Sequence, residues 1–185
     1  MTSFGVEVPV ENIPSYGCYR MLYNSKKLVN GPKFPNLKSI GDYGLADAFN
    51  NCSSLSSVEL PSAPLSVRKY GFREAFAESG IKTVENLNLS GIGQYGCQGM
   101  FLSCAELEKV DGLSAKIFSA AAFFRMFDGC SALTSVNDLH LDGSALTVAN
   151  IPNKCAKMFY NCSSLLSVSG MISGVFGNTA FRYMF

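Results

Sequence analysis

The sequence lacks tryptophan, holds a single histidine, His140, among 185 residues, and has few charged side chains. Charged residues make up 16% of the chain and the formal net charge is +1, whereas a globular domain typically has about 25% charged residues. A nucleic-acid-binding module normally carries a clustered basic face, so we expect no nucleic-acid partner. A Ser-His-Asp or Cys-His arrangement could use only His140, and we therefore expect no enzyme.

Long apolar runs are also absent. No stretch approaches the about 18 uninterrupted apolar residues of a membrane span, so membrane insertion is not expected. The N-terminus has neither a basic region nor an apolar core, so the chain is expected to carry no export signal. A cytoplasmic protein, a virion component and a segment of a longer surface protein all stay open. The hydrophobic fraction of 48% nevertheless predicts an ordered domain with a substantial core.

A repeated residue pair organises the chain. The pairs are Met21-Leu22, Ala48-Phe49, Ala75-Phe76, Met100-Phe101, Met126-Phe127, Met158-Phe159 and Met184-Phe185. Their second members follow one another at intervals of 27, 27, 25, 26, 32 and 26 residues. Most of these pairs are followed, at matching intervals, by a serine or cysteine, an aliphatic residue and a valine. Four positions in register predict a repeat protein.

The period is typical of leucine-rich repeats, in which each coil holds a short strand and a return segment. Spaced aliphatics from Leu55 to Leu60 predict the strand, and Ile40, Tyr43 and Phe49 have helical spacing upstream of the pair. We therefore predict one α/β solenoid domain over residues 1–185 with about six and a half repeats. The expected boundaries are a half repeat at 1–12, repeats at about 13–39, 40–66, 67–91, 92–117, 118–149 and 150–174, and a partial repeat at 175–185.

Two segments carry a family resemblance. Ala48-Phe49-Asn50-Asn51-Cys52-Ser53-Ser54-Leu55 and Met158-Phe159-Tyr160-Asn161-Cys162-Ser163-Ser164-Leu165 closely resemble BspA-type leucine-rich repeats. The resemblance covers nearly the whole chain and implies a right-handed solenoid, with short parallel strands on a concave face and short helices on a convex face. It also implies a cell-surface, extracellular or virion setting, such as bacteria, mucosal parasites or phage tails. Members are usually adhesins or binding modules, without shared catalytic residues.

Seven cysteines raise the question of redox or metal chemistry, but no Cys-x-x-Cys occurs. Four of them share one repeat position: Cys52, Cys104, Cys130 and Cys162. Another position holds Cys18, Cys97 and Cys155, and in other coils Leu45, Phe72, Phe123 and Phe181. Cysteine that alternates with leucine and phenylalanine is interpreted as a small buried apolar residue. A disulfide between neighbouring coils and a metal site are the alternatives, and no cofactor is predicted.

The segment around His140 contains a weak candidate for a divalent-metal site. Strand alternation would place Asp138, His140 and Asp142 on one face, with Leu139 and Leu141 on the other. The alternative is a solvated strand face that runs into the longer loop of the fifth repeat.

Outward positions beside the strand valine are candidates for ligand binding, because stacked coils align them about 4.8 Å apart. The acidic position holds Glu59, Glu85 and Asp111, followed by Asn137. The companion position holds Ser57, Thr83, Lys109 and Ser135. Neighbouring like charges cost stability, which suggests a basic or cation-mediated partner. The alternative is that exposed strand positions are simply polar.

Aromatic residues form a second line of candidates. Tyr16, Tyr43, Tyr70 and Tyr95 are each followed by glycine, and they could pack between coils or form a binding strip. The final residues, Arg182 to Phe185, show no polar cap and could contact a partner. The oligomeric state is left open.

These patterns favour a non-enzymatic binding module that recognises a protein or glycan of a host or neighbouring cell through its concave sheet. The alternative hypothesis is a structural spacer or a virion component, such as a phage-tail part, that presents neighbouring domains.

Overall fold

A computed structural model describes residues 6–143, 153–174 and 179–185 of the chain. The described residues contain eleven strands and no helix, and each strand pairing is parallel. None of these residues therefore forms a helix that is long and apolar enough to cross a bilayer. The strands are β1 Asn12–Ile13, β2 Asn30–Lys33, β3 Ser39–Ile40, β4 Ser57–Glu59, β5 Leu65–Val67, β6 Thr83–Glu85, β7 Asn88–Ile92, β8 Lys109–Asp111, β9 Ser114–Phe118, β10 Ser135–Gly143 and β11 Ser167–Gly174.

The strands stack into two ladders on different sides of a parallel β-solenoid. The first ladder contains β2, β4, β6, β8 and the start of β10, and it is the face that the sequence predicts as the binding sheet. The second ladder contains β1, β3, β5, β7, β9 and the end of β10. β11 pairs with both parts of β10, which spans both ladders. A strand in each ladder alternates inward and outward side chains, so both faces contribute to one core.

Stacked phenylalanines run through the interior. Phe49, Phe76, Phe101, Phe127 and Phe159 are at most 3% exposed. Successive rings among them lie 5.3 to 5.5 Å apart between centroids and within 12° of parallel. The predicted register of the repeat is therefore confirmed, because one repeat position from successive coils forms a continuous dry stack.

The third side of each coil consists of consecutive turns. The amide of Tyr19 donates to the carbonyl of Tyr16 within its coil at 3.2 Å, whereas the amide of Cys18 donates to Gly44 of the next coil at 2.8 Å. The same alternation recurs in the later coils. Every fourth residue of this segment has a positive φ, as at Tyr16 (60°) and Arg20 (53°). These turns therefore join neighbouring coils as a sheet does.

The predicted α/β class, with helices on a convex face, is wrong. The turns repeat every four residues, and an α-helix repeats every about 3.6 residues. Over the ten residues from Ile40 to Phe49, both periods fit the spacing of the apolar residues, so the sequence does not distinguish turns from a helix. Left-handed residues at every fourth position interrupt a right-handed helix, and half of the amides bond to the neighbouring coil. The prediction also missed the second ladder, because its strands are short and several are only two or three residues long.

The cysteines are packed in the interior, as predicted. All seven are free thiols, five are buried, and Cys18 and Cys162 are half-buried. Several thiols also donate a hydrogen bond to the preceding coil: Cys104 Sγ lies 3.0 Å from Phe76 O, and Cys130 Sγ lies 3.1 Å from Phe101 O. Because the thiol is a weak donor as well as a small apolar group, cysteine fits a core position that faces a backbone carbonyl of the preceding coil.

Candidate binding site

The first ladder is split between β4 and β6. A recurring bond precedes its strands: Ser56 N donates to Val29 O at 2.8 Å, Glu108 N to Lys82 O at 2.9 Å, and Thr134 N to Glu108 O at 3.0 Å. Among the described residues, the equivalent bond from Lys82 to Ser56 is absent, and β4 and β6 lie in different sheets. The two strands therefore face each other without pairing.

A cleft of about 370 Å³ opens at this split. Its size falls within the about 300–1,000 Å³ of typical ligand pockets. Four predicted ligand-binding residues line it: Ser57, Glu59, Thr83 and Glu85. All four are exposed, and Ile81, Phe76 and Phe101 contribute apolar atoms below them. The cleft thus combines a polar mouth with an apolar floor.

Coil length explains the split. Cys52 and Leu55 are three residues apart, but their counterparts Ser79 and Ile81 are only two apart, so the third coil is one residue shorter before its strand. Residues 60–64 separate β4 from β5, whereas only residues 86–87 separate β6 from β7. Because parallel pairing needs matched positions in both coils, this double mismatch prevents β4 and β6 from pairing.

A close backbone approach lies beside the cleft at Gly80. A Cβ on Gly80 would lie 2.5 Å from the carbonyl oxygen of Ser53, a distance that side chains do not tolerate. The Gly80 amide still bonds to Cys52 O at 3.4 Å. The two coils therefore touch at this corner and separate only along the first ladder.

Lysines neutralise part of the predicted acidic line. Lys33 Nζ lies 2.6 Å from Glu59 Oε1, and Lys109 Nζ lies 2.5 Å from Asp111 Oδ2. The hydrogen bond from Lys109 lowers the pKa of Asp111, and Asn137 contributes in the same direction. Glu59 raises the pKa of Lys33 through its hydrogen bond and charge. The three carboxylates therefore do not form a ladder of bare negative charges.

Glu85 differs from the other two carboxylates. No ion pair to Glu85 occurs in the described part of the chain, although its charge contributes to the raised pKa of Lys109. The cleft holds two carboxylates, Glu59 and Glu85, and Lys33 neutralises the charge of Glu59. One net negative charge therefore remains at the cleft. The cleft therefore favours a cationic group.

The remaining predicted ligand residues continue the same face beyond the cleft. Lys109 pairs in register with Ser135, and Asp111 with Asn137, on β8 and β10. All four are partly exposed. They extend the polar surface along the paired part of the ladder, next to β6.

Sequence reasoning missed the residues at the rim of the cleft. Leu60, Pro61, Asn86 and Leu87 line it in addition to the predicted positions. The signal was the shortened spacing before Ile81, because a deletion in one coil marks where neighbouring coils fall out of register.

The structure does not bring Asp138, His140 and Asp142 together as a metal site. Within the described residues no three histidine, cysteine or acidic side chains are grouped to hold a metal ion. Asp138 has a φ of 53°, and the pairing of β10 with β11 shifts between Val136 and Leu139. Beyond this shift the predicted alternation holds, because Leu139 and Leu141 are buried whereas Asp138 and His140 are exposed and Asp142 is partly exposed. The loop predicted for the long fifth repeat falls at residues 144–152, outside the described residues.

The tyrosine line forms a stack on the turn side. Tyr16, Tyr43, Tyr70 and Tyr95 have successive centroid distances of 5.0, 4.8 and 5.1 Å. Desolvation, with smaller contributions from Tyr70 and Tyr16, raises the pKa of Tyr43. Tyr43 and Tyr70 have a stacked ring on both faces, and Tyr16 and Tyr95 have one each, so the stack packs the coils together while its edges reach the surface.

Apolar side chains are exposed near residue 185. Phe185 is 70% exposed although its ring stacks on Phe159 at 5.9 Å, and Tyr183 is 57% exposed. The predicted contact through these residues stays a prediction.

Comparison with known proteins agrees with this repeat. The BspA type leucine rich repeat region matches residues 12–184 in six copies. The chain belongs to the BspA-type leucine-rich repeat family, a generally non-enzymatic repeat scaffold that is often surface-associated. A crystal structure of a leucine-rich repeat protein from T. pallidum shares 21% identity, with a TM-score of 0.47, over 94% of this chain and 73% of that one. The comparison with curated proteins found no match.

Proposed function

We propose that this chain is a non-catalytic recognition module that binds a protein or glycan partner through the first ladder. The observation that carries the proposal is the β4–β6 cleft, which gathers Ser57, Glu59, Thr83 and Glu85 at a solvent-open site. An adhesive role on a cell surface, or on a virion, is part of the proposal, and membership in an often surface-associated family supports it.

The first ladder suits recognition better than catalysis. Its exposed side chains are hydroxyls, carboxylates, amides and lysines on a rigid sheet. His140 lies on the second ladder, where its Nδ1 is 3.1 Å from the backbone oxygen of Asp138. A histidine in that position is held by the backbone and is remote in register from the cleft strands.

A binding screen tests the proposal. The full chain is applied to an array of immobilised glycans and to an array of extracellular-matrix proteins. A variant with Glu59→Ala, Glu85→Ala and Asp111→Ala should lose most of the binding to any ligand found. A control with Glu11→Ala and Glu78→Ala, which removes two exposed carboxylates elsewhere, should bind normally. Equal binding by both variants would refute the site.

A structural spacer is the second candidate, and the unbroken phenylalanine stack from Phe49 to Phe185 favours it. Such a stack makes a stiff rod that could hold neighbouring domains apart. Neighbouring genes for virion tail proteins would support the spacer, whereas genes for secretion or anchoring would support the recognition module.

A further inference from the structure

The split leaves two strand edges free toward each other. β4 pairs on its other side with β2, through Ser57 to Asn30 and Glu59 to Lys33. β6 pairs on its other side with β8, through Thr83 to Lys109. Among the described residues, neither strand has a backbone partner across the cleft. Unpaired strand edges are templates for main-chain pairing with another extended chain.

The opening is confined to the first ladder. On the turn side, the amide of Asn51 donates to Ala77 of the next coil at 2.8 Å, and β5 pairs with β7 on the second ladder. In the interior, Phe49 and Phe76 stay stacked at 5.3 Å. The two coils are therefore fixed on the other two sides and through the interior, and the cleft is a preformed wedge whose mouth lies at the strand edges.

The floor of the cleft argues against a sugar as the occupant. Phe76 and Phe101 are 2% and 3% exposed, and each ring is stacked on its neighbours. The residues that line the cleft include no other aromatic ring. A sugar ring would therefore find no open aromatic face there, whereas free main-chain groups and a carboxylate suit a peptide.

Resting on the proposed function, we propose that the β4–β6 cleft binds an extended peptide segment. Main-chain groups of the peptide pair with the free edges of β4 and β6, and a lysine or arginine side chain of the peptide meets Glu85. Each free edge is three residues long, so at about 3.3 Å per residue the paired part spans about 10 Å. Affinity comes from the main chain, and preference for basic sequences comes from the carboxylate.

A peptide library provides the test. The library holds acetylated and amidated hexapeptides in which valine or threonine alternates with lysine, arginine, glutamate or serine. The full chain should retain the lysine and arginine members and release the glutamate members. Methylation of alternate backbone nitrogens in a retained peptide should weaken binding about tenfold, because it removes main-chain donors.

Two variants connect binding to the cleft. Glu85→Gln should weaken binding of the retained peptide about threefold and reduce its salt dependence, whereas the matched control Glu78→Gln should leave it unchanged. Insertion of one serine between Gly80 and Ile81 restores the three-residue spacing before the strand. It removes the first of the two mismatches and should let the starts of β4 and β6 pair. That variant should fold and lose peptide binding; because Glu85→Gln keeps the chain length, the test stands even if the insertion disturbs folding.

The outcomes separate the two proposals. The peptide proposal is overturned if no library member binds, or if binding ignores both N-methylation and Glu85→Gln. In that case glycan or matrix-protein binding that is lost with the Glu59, Glu85 and Asp111 variant would leave the proposed function standing. Failure on all three arrays would overturn both proposals.

Discussion

Replacing Phe127 with alanine should destabilise the protein strongly, because the ring is fully buried between two others. Phe127 is 0% exposed, and its centroid lies 5.4 Å from Phe101 and 5.5 Å from Phe159, within 3° of parallel in both pairs. Removal of a buried phenylalanine side chain costs about 3–5 kcal/mol. Loss of two stacked contacts places the expected change toward the upper end, about 4–5 kcal/mol.

Phe185→Ala is the matched control. Phe185 has one stacked neighbour and is 70% exposed, so its removal should change the free energy of unfolding by about 1 kcal/mol or less. Urea denaturation followed by circular dichroism measures both variants, and equal slopes show that the same surface unfolds in each. A change below about 1 kcal/mol for Phe127→Ala, or one no larger than for Phe185→Ala, would refute the stacked core.

Three further predictions follow from backbone and thiol geometry. Gly96→Ala should destabilise by about 1–3 kcal/mol in thermal unfolding, because its Cβ would lie 2.6 Å from Ile92 Cγ2; an unchanged midpoint would contradict the tight corner. Glu78→Asn should stabilise by about 0.5–1 kcal/mol, since Glu78 has a φ of 55° and asparagine tolerates that region better; a loss of stability would contradict it. Burial raises the pKa of Cys104 to about 11, so this thiol should resist a thiol reagent in the native state at pH 8. Half-buried Cys18 should react first, and rapid labelling of most thiols would refute the packing.

The sequence was sufficient for everything that depends on spacing along one chain. The recurrence of Phe49, Phe76 and Phe101 correctly predicted a stacked interior, and the exchange of cysteine with leucine and phenylalanine correctly predicted buried thiols. Both signals are intervals between chemically similar residues, and any solenoid with that period places them together.

Spacing alone was not sufficient for the return segment. Tyr43, Asp47 and Asn51 have positive φ values; asparagine and aspartate are enriched in that region, but tyrosine is not. Their conformation follows from alternate amides that bond to the next coil, as Leu45 N bonds to Gly71 O at 2.9 Å. Hydrogen bonds to the next coil thus stabilise turns instead of a helix. The turn period of four residues is so close to the helical period of about 3.6 that spacing in the sequence does not distinguish the two.

The sequence by itself determined the repeat, its register and which side chains form the dry interior, because these depend on intervals within one chain. Only the tertiary structure decided that the return segments are turns and that the first ladder splits between β4 and β6. Each backbone amide can donate a hydrogen bond to a carbonyl of its own coil or to one of the next coil. Which bond forms depends on how two coils of unequal length fit against each other.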